Sequence, residues 1–346
     1  MITIEPLSNN ALRVKAINLE LIRQAMRRLK QATKADLAQA TGLSVATCGN
    51  MLKELLAAGE IIEAEPEASS GGRPARKFIY NADYALIACL FIRLTGGVRT
   101  LDYIVVNAHG EPVDSGCEES VMLDAAVVDR RIGTLIEAYP QIRAAGIGLP
   151  GFTHLGTVNV CDIPELIGAP LEHALREKYG IPIVVENDMN MTVYGFSRDR
   201  GIEDDRTVAV ATFIQGSYPG AGIFTGGRVL EGKSRFAGEL SFLPLGLTRE
   251  EQMRQLGRKK TFPPLAARML SSLIAVINPD LIALTGDQAG GEDLDLIRTH
   301  CLNSIPAEHM PELELLKDPD SFYRSGLTAA TMEQLNLSLQ LVQVRR

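Results

Sequence analysis

The chain has 346 residues, 46% apolar and 22% charged, the balance of an ordinary globular protein of two or three domains rather than a mostly disordered one. Its net charge is −7, which taken whole argues against a nucleic-acid partner. Divided, the charge reads differently: residues 1–80 hold 11 Lys and Arg against 8 Asp and Glu, and the remainder 24 against 34. The longest apolar run, Ala85 to Ile92, falls far short of the roughly 20 residues a membrane helix needs, so no membrane partner is expected. Met1 to Asn10 lacks the pattern of a secretory leader. Five cysteines at 48, 89, 117, 161 and 301, none at CxxC spacing, read as reduced thiols of a cytoplasmic protein.

The first predicted element is a helix over 17–30 with Leu21, Ile22, Ala25, Met26 and Leu29 on one face. Thr33, with Asp36 three residues on, predicts a capping box and a second helix that ends at the turn residue Gly42. Ser44 predicts the cap of a third helix to about Ala58, with Cys48, Met51, Leu52 and Leu55 inward. Glu60–Glu63 and Arg76–Tyr80 predict a strand pair around the loop Ser69-Ser70-Gly71-Gly72-Arg73-Pro74. The set reads as a winged helix-turn-helix over residues 1–81. Its plain alternative is three packed helices with a solvated surface.

In the DNA reading, Ser44, Val45, Ala46, Thr47, Asn50 and Lys53 form the exposed face of the third helix. Asn50 suits adenine, the methyl groups suit thymine, and Ser44 and Thr47 suit phosphate at the helix start. Arg73 on its glycine-rich loop suits a narrow A·T-rich minor groove, flanked by Arg76 and Lys77. Against this, Glu60, Glu63, Glu65 and Glu67 line the approach to the wing.

Beyond residue 81, strand-like runs alternate with amphipathic helices. The strands fall near Tyr84–Ile92, Tyr103–Val106, Ala144–Leu149, Ile183–Val185, Val208–Phe213, Ala221–Phe224 and Leu281–Leu284. The helices fall near Ala125–Tyr139, Leu171–Tyr179 and Pro264–Ile277, giving an α/β fold with no sequence repeat. The C-terminal Gln340–Arg346 alternates like a strand without an assigned partner.

Within this region Gly146-Ile147-Gly148-Leu149-Pro150-Gly151, Gly156-Thr157-Val158, Glu186-Asn187-Asp188, Gly220-Ala221-Gly222, Ala237-Gly238-Glu239 and Asn278-Pro279-Asp280 follow one another in order. This series resembles the ROK (repressor, open reading frame, kinase) family. The resemblance implies a two-lobed actin-like ATPase fold over 82–346, with lobes of approximately 82–195 and 196–346 and a cleft between them. It also implies a homodimer or larger homo-oligomer.

Residue by residue, Asp188 matches the family's catalytic base, and Gly148, Asn187, Asp188 and Glu239 match positions that hold sugar hydroxyls. Asn187 and Asp188 also read as helix caps, and Glu239 as a surface or interface carboxylate. The first strand and turn, Ala85 to Gly97, hold no acidic residue where the family carries an acidic phosphate motif, and Gly216-Ser217-Tyr218-Pro219-Gly220 departs from the second phosphate loop. Pro219 removes a backbone donor there. The family's zinc site is missing its ligands: Phe242 replaces the His, and Leu245–Thr261 has no Cys or His. Neither a metal nor a nucleotide cofactor is expected, and Asp188 is a vestige.

The resulting expectation is a non-enzymatic, sugar-responsive repressor that binds an A·T-rich inverted repeat of double-stranded DNA. The alternatives are a sugar kinase with an accessory DNA-binding domain and a regulator that has lost its small ligand.

Overall fold

The computed structural model describes residues 8–64 and 76–335. Arg73, Glu65, Glu67 and Gln340–Arg346 lie outside the described residues.

Helix α1 (Ser8–Leu29) starts well before the apolar periodicity predicts. Ile22, Ala25 and Met26 are buried, but Leu21 and Leu29 are each 37% exposed. A long helix lying on two shorter ones buries only a narrow stripe, and these two leucines flank it. The short strand β1 (Gln31–Thr33) leads into α2 (Lys34–Thr41), where Thr33 and Asp36 form the predicted capping box. Gly42 has φ 71°, so the chain turns through a conformation that glycine adopts without strain. Ser44 then caps α3 (Val45–Ala57) by accepting from the Thr47 N–H at 3.1 Å. Strands β2 (Ile61–Glu63) and β3 (Lys77–Tyr80) pair antiparallel with Ile61 opposite Tyr80, and β1 joins on the far side of β3. Cys48, Met51, Leu52 and Leu55 are buried against Ile22, Met26, Phe78 and Tyr80.

A five-stranded sheet follows. Its strands are β4 (Leu86–Thr95), β5 (Val98–Asn107), β6 (Pro112–Ser120), β7 (Ile142–Leu149) and, after the hairpin β8 (Gly151–His154) and β9 (Thr157–Cys161), β10 (Ile183–Asn187). Helix α4 (Ala125–Ala138) precedes β7, and α5 (Leu171–Tyr179) precedes β10. The order is β10-β7-β4-β5-β6, parallel from β4 through β7 to β10 and antiparallel on the other side. Central β4 is buried from Leu86 to Ile92 because helices cover both faces, which is why it reads as a continuous apolar run.

Helix α6 (Asp188–Asp199) leads to a second five-stranded sheet: β11 (Val208–Thr212), β12 (Gly220–Thr225), β13 (Arg228–Val229), β14 (Leu281–Thr285) and β15 (Glu312–Leu315), with α7 (Arg249–Leu256), α8 (Phe262–Ile277) and α9 (Gly291–Cys301) between them. Its order, β13-β12-β11-β14-β15, repeats that of the first sheet: an antiparallel meander on one side of the first strand and two parallel strands on the other. The repeat is one of topology. It needs only matching apolar strands, so it left no sequence trace.

The last described helix, α10 (Pro319–Gln334), crosses back to the first sheet, where Tyr323 and Leu327 pack with Ile87, Cys89 and Phe91. Helix α6 serves both sheets, with Met191 against the first and Val193 and Phe196 against the second. A division at 195/196 therefore falls inside one continuous helix, and α6 and α10 form a layer shared by both halves. At its far end α10 reaches α1: Met332, Leu335 and Ala108 line a cavity of about 450 Å³ with Gln24, Arg27 and Arg28. Among the described residues no helix is long and apolar enough to cross a membrane.

Candidate functional site

Between the two sheets lies a cavity of about 480 Å³. The parallel strands of both sheets point their C-terminal ends at it, the usual place for a ligand in such folds. Asn187 and Asp188 enter it from the β10–α6 junction, Asp162 from the end of β9, Glu239 and Arg249 from the loop and helix after β13, and Tyr323 from α10.

Both polar atoms of Asn187 have protein partners. Its Oδ1 accepts from the Asn190 N–H at 2.9 Å as the cap of α6, and its Nδ2 donates to the Gly151 carbonyl at 2.9 Å. Asp188 accepts from the Met189 N–H at 2.8 Å. Burial pushes its carboxyl up to about 7, helped by the nearby charges of Asp162 and Glu239 and opposed by that N–H. Burial likewise pushes Glu239 and Asp162 up, with Arg249 pulling both down. Three carboxyls and one guanidinium thus form a single electrostatic unit. Arg249 is held by Ser241, whose Oγ accepts from its Nε at 3.2 Å, and by two rings, Tyr218 at 3.8 Å and Phe242 at 4.2 Å from their centroids.

Phe242 stacks edge-on with Phe236, and Phe236 with Phe152. Beside them Arg235, at φ 59°, ties the two halves together: its Nη1 donates to Thr153 Oγ1 and to the Val185 carbonyl, each at 3.1 Å, and its Nη2 lies 3.4 Å from Glu186. Burial pushes Glu186 up to about 7 despite that arginine.

Because Asp188 and Glu186 have folded values above the ordinary carboxylate value of about 4, their protonated forms favour the fold. That contribution is complete below about pH 4 and is lost as the pH rises through about 7. The urea midpoint is therefore expected to fall between about pH 5.5 and about pH 8, and Asp188→Asn to flatten the profile. A midpoint that rises over this range in the wild type sinks the assignment.

Of the four predicted ligand residues, the structure brings Asn187, Asp188 and Glu239 to the cavity. Gly148 is the exception: it lies under α10, and a Cβ there would stand 2.1 Å from the Tyr323 hydroxyl. Its missing side chain makes room for that tyrosine rather than for a ligand. Asp162, Arg249 and Tyr323 escaped sequence reasoning. Leu245–Thr261 carries no Cys or His, and the rings that stack on Arg249, Tyr218 and Phe242, lie on other stretches of the chain.

Ser241 and Phe242, which stand where the family resemblance places Gly-His, instead hold Arg249, and among the described residues no group of three His, Cys, Asp or Glu is placed to hold a metal. On the phosphate side Arg93 and Leu94 line the cavity, and Arg93 is paired with Asp102 and Asp320.

In the N-terminal module, Ser44, Val45, Ala46, Asn50 and Lys53 are exposed and Thr47 is half-buried, with Ala46, Asn50 and Lys53 at helical spacing on one side of α3. Lys77 is half-buried on β3, and Arg76 pairs with Glu63 at 3.1 Å. Glu60 does not line the approach to the wing. It is 1% exposed and receives both Nε and Nη2 of Arg23, at 2.6 and 3.0 Å.

Residues 94–255 match the ROK family model. That match covers a little under half of the chain. It is similar to the xylose repressor of Bacillus subtilis (strain 168), 23% identical over 249 residues, 67% of this chain and 61% of that one. It is also similar to the N-acetyl-D-glucosamine kinase of Vibrio atlanticus (strain LGP32), 34% identical over 104 residues, 30% of this chain and 34% of the kinase. This chain spans about three fifths of the length of the curated repressors it matches. Among solved structures, a ROK family transcriptional regulator described as a homologue of the E. coli Mlc protein superposes with a TM-score of 0.67 at 20% identity, covering 94% of this chain and 99% of that one. This chain therefore shares its fold with that regulator, and a fold by itself assigns no function.

Proposed function

We propose that this chain is a DNA-binding transcriptional repressor whose ROK domain senses a sugar or sugar derivative. Residues 1–81 act as a winged helix-turn-helix, residues 82–346 as the sensor, and the working form is a cytoplasmic homodimer on a two-fold, A·T-rich operator. The observation that carries the reading is the exposed face of α3, with Asn50 and Lys53 clear of the module's own core, on the same chain as a sugar-kinase-like cleft. The relatives support it: the repressor match spans more of this chain than the kinase match.

The test is a mobility-shift assay with the duplex upstream of the chain's own gene against random duplex, over a salt series. Tight, salt-sensitive, selective binding is expected, and equal binding to both duplexes rejects the reading. Asn50→Ala is expected to weaken specific binding by about 2 kcal/mol, roughly thirtyfold, while leaving binding to random duplex nearly unchanged. Equal loss on both duplexes makes Asn50 a backbone contact.

A second reading, sugar kinase, rests on Asp188, whose carboxyl near 7 is suited to general-base work. Phosphoryl transfer also needs groups that hold the nucleotide phosphates and their metal. The first strand brings Arg93 and no carboxylate to the cleft, and Pro219 brings no N–H. No ADP release is expected in a coupled assay with D-glucose, D-xylose or N-acetyl-D-glucosamine. Sustained turnover with any of them establishes the kinase.

A further inference from the structure

Arg249 lines the cavity and is only half-buried, so solvent reaches it. Its Nε–H is taken by Ser241. Among the described residues, no acceptor pairs with its two Nη nitrogens, which carry four further donors. Asp162 and Glu239 line the same cavity, close enough for the arginine's charge to pull both carboxyls down, yet neither forms an ion pair with it. Nor, among the described residues, does either carboxyl accept a hydrogen bond from the protein. A flexible arginine ordinarily closes on a neighbouring carboxylate, because the charge-assisted pair is a strong one. Here Ser241 and the rings of Tyr218 and Phe242 hold the guanidinium back. Donors and acceptors are thus kept apart across an open space.

A sugar hydroxyl is donor and acceptor at once, so one ring can receive from Arg249 while giving to Asp162 and Glu239. With Asp188, three carboxyls share this space with the one guanidinium, and an acidic ligand would add a further negative charge beside them. Of the other cations lining the cavity, Arg93 is already paired with Asp102 and Asp320, and Lys317 is exposed. Resting on the reading of this cleft as a sugar site, we infer that Arg249 is a binding residue of that site, its Nη groups donating to hydroxyl oxygens of an uncharged sugar held opposite Asp162 and Glu239.

Calorimetry on the full chain tests this with D-xylose, D-glucose, N-acetyl-D-glucosamine and the acidic D-glucuronate, then with monodeoxy analogues of the best binder. The wild type is expected to bind at least one neutral sugar, and D-glucuronate at least tenfold more weakly. Arg249→Lys keeps the charge but loses the planar fork, and is expected to bind that neutral sugar at least tenfold more weakly than the wild type does. For one deoxy analogue the penalty should shrink to threefold or less, since the hydroxyl that the arginine holds is already missing. An unchanged affinity, or a penalty equal for every analogue, overturns the inference and leaves the sugar reading standing. Binding of D-glucuronate as tight as that of the neutral sugar does the same. Arg249→Gln is the second variant, and if both melt well below the wild type without sugar the arginine belongs to the fold and the inference fails. A wild type that binds none of the four sugars removes both.

Discussion

Arg23→Met is expected to destabilise the N-terminal module by about 3–5 kcal/mol, the cost of removing one partner from a buried ion cluster. Glu20 and Glu60 are 2% and 1% exposed, and both pair with Arg23. Tyr80 extends the cluster by donating to Glu60 at 3.4 Å and accepting from Arg27 Nε at 2.9 Å. Methionine fills the arginine's volume but leaves two carboxylates without their counter-charge. The module has its own apolar core, so the loss should appear as an early transition in thermal unfolding, with operator binding lost at the same temperature. Adding Glu20→Gln and Glu60→Gln to the same chain is expected to recover much of the stability, because neutral amides cost less to bury than unpaired charges. A wild-type melting profile for Arg23→Met alone refutes the account.

The second large effect is expected at the crossing of α6 and α10. A Cβ at Gly326 would stand 2.0 Å from the Met191 carbonyl oxygen, and one at Gly195 would stand 2.0 Å from the Phe322 carbonyl oxygen. The two helices therefore touch backbone to backbone, and nothing flexible can yield. Gly326→Val is expected to cost about 3 kcal/mol by forcing the helices apart. The damage should reach the cleft, since Asp188 starts α6 and Tyr323 lies one turn before Gly326. Gly291→Ala is the control: its Cβ position is empty, so the urea midpoint should hold or rise slightly. Equal behaviour of the two variants removes the packing argument.

These two sites mark the limit of what the sequence disclosed. Features with local causes were legible. Helix α5 falls residue for residue where its apolar period predicts, and the Thr33 box, the Gly42 turn and the Ser44 cap each follow from side chains within four residues of one another. Features with distant causes were not. Strand β1 is three residues long and exists because β3 offers it a partner 46 residues away. Edge strand β6 is too polar to read as a strand, since one of its sides meets no further strand. In the cleft, Asp188 and Glu239 were legible through a resemblance of motifs. Asp162, Arg249 and Tyr323 were not, because three separate segments bring them together. Gly148 was assigned to the ligand for want of a view of Tyr323, 175 residues further on. Glu60 was read as a surface charge although its partner, Arg23, lay on the first helix.

Helix α10 runs from the cleft to the N-terminal module without a break. At 1.5 Å per residue its 16 residues make a shaft about 24 Å long. Tyr323 sits near one end, and Met332 and the following Leu335 sit at the other, against the Gln24, Arg27 and Arg28 side of α1. The glycines press this shaft against α6, backbone to backbone, along the way. A tilt of about 5° at the cleft then carries the far end through about 2 Å, a lever arm set simply by the helical rise. The span from the cleft to the N-terminal module is thus crossed by a single helix of fixed rise.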